Sequence, residues 1–174
     1  MTAQLSGVLA LVVPGVLLAQ TLPPTPPTQA AYRGFAPGAP YREFVERARA
    51  VTLKDPLVCN TAKKTAQIME CGVVIRDPAD SATFYLSASV IEGRVSMLSF
   101  HDSGGPALVD RMRKDLTTRF GPGKRTGRST IEWAYGRKVI RYNWRGRGNA
   151  RWIYVSLEDR DVTDRIAKYV QRRP

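Results

Sequence analysis

Histidine, cysteine and long apolar runs are scarce in this chain, and each scarcity closes off a class of function. One histidine, His101, and two cysteines, Cys59 and Cys71, cannot fill a tetrahedral structural metal site without help from carboxylates, so no metal is expected. No cofactor is expected either, because the one glycine-rich basic turn, Arg145-Gly-Arg-Gly-Asn149, lacks the lysine and the following helix of a phosphate-binding loop. The uncharged apolar run from Gly7 to Ala19 has 13 residues, whereas a membrane span needs about 20. It fits the core of a signal peptide over residues 1–19, which places the mature chain in a periplasm or outside the cell without a transmembrane segment. No Lys or Arg precedes the run and Pro14 interrupts it, which leaves an uncleaved tether as the alternative. Gln20, not a cysteine, directly follows Ala19, so a bacterial lipidation signal is missing.

Acidic residues are also few. The 15 Asp and Glu face 27 Lys and Arg, for a net charge of +12. Residues 20–105 carry 9 basic against 8 acidic side chains and residues 106–174 carry 18 against 7, so nearly all of the excess lies in the second half. Such a field favours an anionic partner and says little about fold. Arginine outnumbers lysine 20 to 7, a bias that a GC-rich coding sequence could also produce.

At 174 residues the chain suits one domain with a real core. Thr21-Leu-Pro-Pro-Thr-Pro-Pro-Thr28, within a linker over 20–31, reads as an extended arm, and the folded part is expected over 32–170. Pro40 opens a helix over 40–51 with Tyr41, Phe44, Val45 and Ala48 on one face. A strand is expected over 65–76, then a hairpin of 82–91 and 94–101 turning at Glu92-Gly93. Pairing of Val90 with Val95 would put Phe84, Leu86, Ala88, Val90, Val95 and Met97 on the core face. A second helix, 106–120, buries Val109, Met112, Leu116 and Phe120 and stops at Gly121-Pro-Gly123. Lys124–Ser129 reads as a basic loop, followed by strands 130–135, 138–144 and 151–158. Asp161 is expected to cap a last helix that buries Val162, Ile166, Tyr169 and Val170, ahead of a frayed tail. In an oxidising compartment Cys59 and Cys71 are expected to form a disulfide.

The fold class is therefore α+β, with antiparallel sheet and two main helices. An aromatic strand end, a Gly-x-Pro turn, a helix and three strands occur twice, over 32–101 and 100–158, which suggests a tandem repeat. That element order resembles the secreted β-lactamase-inhibitor proteins and the small lipoprotein of the outer-membrane β-barrel assembly machine. The resemblance implies a sheet presented to a protein partner, although the lipoprotein's lipidated cysteine is missing here.

His101-Asp-Ser-Gly-Gly-Pro106 looks like the nucleophile loop of chymotrypsin-like serine proteases, which would make Ser103 the nucleophile of a small secreted hydrolase. A nucleophilic serine needs an imidazole oriented by a third group. The lone histidine is two residues from Ser103, where that family has an oxyanion-hole glycine. The motif is better explained as a helix entry in which Asp102 or Ser103 caps and Pro106 starts the turn, so no catalytic residue is expected. Asp159, Asp161 and Asp164 lack the ligand alternation and central glycine of a calcium loop.

Alternation splits the last strands into an apolar face (Ile140, Tyr142, Trp144, Ile153, Val155, Leu157) and a second face with Val139, Arg141, Asn143, Trp152, Tyr154 and Ser156. Tryptophan, tyrosine and arginine supply most interface hot spots. Arg141, Asn143, Arg145, Arg147, Arg151, Trp152 and Tyr154 are therefore the candidate binding residues, for a protein partner or an anionic glycan or lipid surface. Export disfavours the third anion, nucleic acid.

Overall fold

Alternation carries most of the architecture, and one extra residue bends it. In the computed structural model, which describes residues 29–61 and 67–166, Val90 does pair with Val95, but Ser89 pairs with Met97, leaving Ser96 as a bulge. Val95 and Ser96 are both buried, and the Ser96 hydroxyl donates to Ser89 O at 2.9 Å. Beyond the bulge the alternation is reset, so Leu98 and Phe100 enter the core and Met97 turns outward, 42% exposed. The expected core position of Met97 is thus corrected.

The described elements are α1 (Tyr41–Val51), β1 (Val58–Thr61), β2 (Ile68–Arg76), β3 (Thr83–Ile91), β4 (Arg94–Gly104), α2 (Pro106–Phe120), β5 (Lys124–Gly127), β6 (Thr130–Tyr135), β7 (Lys138–Arg145), β8 (Arg151–Asp159) and a short α3 (Arg160–Thr163) running into a 3-10 turn. The strands form one antiparallel sheet in the order β1-β2-β3-β4-β8-β7-β6-β5. Two meanders, each preceded by a helix, meet where β4 pairs with β8. Each meander has four strands where three were expected, and β5 stands in place of the expected basic loop 124–129. All four β5 residues are exposed, so no burial rhythm marks it as a strand.

Both long helices cover the same face. Phe44 and Ala48 of α1 and Leu108, Val109, Met112, Leu116 and Phe120 of α2 join one core with Val73, Ile75, Leu86, Val155 and Leu157 of the sheet. Pro106 supplies the preset φ of a helix start, and Gly121, at φ 75°, ends α2 in a conformation that glycine adopts freely. Trp133 Nε1 donates to Gly121 O at 2.9 Å, and the Tyr142 hydroxyl donates to Val109 O at 3.0 Å, so both polar aromatics are satisfied inside the core. Burial pushes the Tyr142 hydroxyl well above its ordinary pKa.

The chain enters the fold earlier than expected, with Ala30 already buried. Tyr32 and Phe35 exchange backbone hydrogen bonds at 2.9 Å around Arg33 and Gly34, whose φ values of 52° and 80° define the mirror-image turn of tight hairpins. This turn drops both rings into the core and buries the Arg33 side chain, 3% exposed. Arg33 lies over the Phe84 ring at 4.5 Å, pairs with Asp77 and donates to both Asp80 oxygens at 2.9 and 3.0 Å. These bonds hold the Asp80 carboxyl below its usual range. A carboxyl acidified by folding stabilises the fold above its unfolded pKa of about 3.9, and that contribution is lost as pH falls through the lower folded value. Urea midpoints should therefore drop on acidification below about pH 4, with a shallower slope in Asp80→Asn.

At the other end of the chain Asp159, not Asp161, caps α3, accepting from the amides of Asp161 and Val162. Asp161 and Asp164 are held instead by Arg137. The expected signal peptide over 1–19, the proline-rich stretch 21–28 and the expected packing of Tyr169 and Val170 lie outside the described residues. Among the described residues no helix is long and apolar enough to cross a membrane, and no cluster of His, Cys, Asp or Glu could hold a metal ion. Cys59 and Cys71, directly opposed across β1 and β2, form a disulfide.

Candidate functional site

Because both long helices lie on one face, the other face of the sheet shows its outward residues in rows set by register. One row runs Val74, Tyr85, His101, Tyr154 and Asn143 across β2, β3, β4, β8 and β7. Its rings touch: His101 meets Tyr154 edge-on at 4.9 Å and Tyr85 at 5.8 Å, and the Arg145 guanidinium lies over Tyr154 at 5.5 Å. The adjacent row is almost all small: Gly72, Ser87, Ser99 and Ser156, ending at Arg141 and Glu132. Rings beside small residues make a trough. At the β1–β3 end it widens into a cavity of about 590 Å³ lined by Val58, Glu70, Gly72, Tyr85, Ser87 and Ser89. The Tyr85 hydroxyl lies 2.2 Å from where a Cβ on Gly72 would stand, so any larger residue there would displace the ring.

The sequence-predicted residues divide into three groups. Trp152 is 53% exposed and pairs in register with Ser103 and Arg145, while Tyr154 and Asn143 sit half-buried in the aromatic row. Arg141 belongs to the same face but is neutralised by Glu132, its cross-strand neighbour, at 3.0 Å. Arg147 and Arg151 lie away from the sheet face, in and beside the β7–β8 turn at its rim. Val139, expected outward, is corrected to a buried position. The α3 segment folds back against β4 and Arg165 reaches Glu92 in the β3–β4 turn, so this end of the face buries Ile91, Val139 and Val162. That cover stops short of Trp152.

Tyr85, Met97 and the serine row were missed. Tyr85 and Met97 are exposed large side chains: alternation on β3 turns Tyr85 outward, the face of Met97 depends on the bulge, and the serines line up only through register.

The protease-like motif is also rearranged. His101 Nε2 lies 2.8 Å from Ser99 Oγ rather than on Ser103, and burial holds the imidazole below its ordinary pKa, so it is neutral at pH 7. The expected capping by Asp102 or Ser103 is corrected as well. β4 runs on to Gly104, Gly105 is the N-cap with no side-chain bond, and the Ser103 amide donates to Asp102 Oδ1 at 2.7 Å.

Comparison with protein-family models, curated proteins and solved structures gives no match. The functional reading therefore rests on the sheet face itself.

Proposed function

We propose that this is an exported, non-enzymatic binding domain that presents its open sheet face to a protein partner, or to an anionic envelope ligand that arginine and aromatic side chains can hold. The single observation behind the reading is the row Tyr85, His101, Tyr154 with Arg145 stacked at its end and Trp152 beside it, half-exposed on a rigid sheet. Two large aromatics next to arginine, held on strands, match the anchors that dominate interface energy and lose little side-chain entropy on binding. The Cys59–Cys71 disulfide supports an oxidising compartment and hence export. The arrangement of a helix followed by four strands in each half supports, on the same footing, an origin by duplication and the resemblance to the inhibitor and assembly-lipoprotein folds. The alternative of a hydrolase acting through Ser103 finds no support in the Ser99–His101 pairing.

A photo-crosslinking residue placed at Trp152 should give a discrete adduct in the native compartment, and one placed at Arg42, on the outer side of α1, should not. Adding Tyr154→Ala should reduce the adduct about tenfold or more, the loss of one hot spot, without shifting the melting temperature. Equal labelling from both positions, or none from Trp152, would count against the reading.

A further inference from the structure

Three stretches of the chain, around 106–110, 128–129 and 144–151, wall a cleft of about 690 Å³ at the rim of the sheet. The start of α2 forms one wall, Arg128 and Ser129 of the β5–β6 turn a second, Trp144 and Arg145 at the end of β7 a third, and Arg147 with Arg151 around the β7–β8 turn the fourth. Among the described residues Asp110 is the one carboxylate lining it, and its Oδ1 is occupied by Arg113 at 2.8 Å. Among the described residues no carboxylate pairs with Arg128, Arg147 or Arg151, and Arg145, also without a carboxylate partner, has its guanidinium over the Tyr154 ring. Arg151 donates to Gly146 O and Arg125 donates to Arg128 O at 2.9 Å, so the two turns that carry these side chains are held in place.

We propose that this cleft binds a phosphate monoester carried on a polar ring, such as a sugar. Uncompensated arginines gathered in one concavity call for a ligand with more than one negative charge. A carboxylate brings one charge, whereas a phosphate monoester brings about two at pH 7, with oxygens matched to guanidinium forks. The volume falls within the roughly 300–1,000 Å³ of small-ligand sites, and the half-buried Trp144 offers a ring for stacking. The α2 helix begins at the cleft without a side-chain cap, so its dipole adds to the same field. A nucleic-acid track is disfavoured because the charge is gathered in one corner instead of running along a groove with successive stacking rings. The site shares Arg145 with the Trp152–Tyr154 surface, but Arg128 and Arg147 belong to the cleft alone, so the two readings can fail independently.

Titration calorimetry with inorganic phosphate and with glucose 6-phosphate tests this, using the full chain. Saturable 1:1 binding is expected, tighter for the sugar phosphate. Arg147→Gln, at the exposed turn, should weaken it about tenfold, and Arg128→Gln with Arg147→Gln about a hundredfold, one charge-assisted contact each. Arg42→Gln should leave it unchanged. Vesicles containing phosphatidic acid separate the sources. Tighter binding to them than to glucose 6-phosphate, lost in the double variant, places the monoester on a lipid headgroup, and indifference to them places it on a soluble ligand. The proposal is overturned by the absence of saturable binding, by an equal loss in Arg42→Gln, or by a single-stranded oligonucleotide that binds more tightly and displaces the sugar phosphate.

Discussion

Phe100→Ala should lower the unfolding free energy by about 4 kcal/mol, the largest single-residue loss expected. The ring is fully buried at the middle of β4. It stands edge-on to Tyr32 at 5.1 Å, to Phe35 at 5.8 Å and to Phe84 at 6.1 Å. Its walls come from the entry turn, from β3 and from the central β4–β8 seam, where Val155 is its register partner. Elements fixed by separate hydrogen-bond ladders cannot all move in to close the cavity, so the cost should sit in the upper part of the range for such truncations. A chemical melt followed by tryptophan fluorescence reads it directly, with a matching fall of about 12 °C in Tm. Met97→Ala, three residues away on the exposed face, should change stability by under about 0.5 kcal/mol. A loss below about 1.5 kcal/mol for Phe100→Ala would show that the entry turn is not part of the cooperative core.

Removing the disulfide by Cys59→Ser with Cys71→Ser should cost about 3 kcal/mol, and reduction of the wild-type chain should cost a similar amount. The two cysteines are 12 positions apart in sequence and face each other across the β1–β2 ladder. β1 has only four residues, mostly exposed, and no neighbour on its outer side among the described residues. Little besides the bridge and one ladder holds it. Hydrogen exchange should therefore show β1 amides losing protection first, while β4 and β8 amides change only with the global stability. Uniform loss of protection would instead make β1 a full member of the cooperative unit.

How far these features could be read in advance depended on which physical signal carried them. Alternation in 151–158 and 138–144 was unambiguous, so Trp152 and Tyr154 were assigned to the outward face and Ile153, Val155 and Leu157 to the inward one. A bulge leaves no trace in alternation, so the reset at Ser96 exchanged the expected places of Met97 and Leu98. The exposed edge strand β5 buries nothing and so has no hydrophobic rhythm. Val139 obeyed alternation but was covered by α3, a tertiary contact that no local pattern reports. The arginine cleft was invisible for a related reason, because Arg128, Trp144 and Arg147 become neighbours only when two turns and a helix start meet.

The outermost strands, β1 and β5, are four residues each, and β5 is Lys-Arg-Thr-Gly. Short borders, charged on the β5 side, are poor templates for an incoming strand. The sheet therefore discourages end-to-end fibre growth, and the binding proposed for its open face would have a visitor settle flat onto the rings instead of zipping onto the hem.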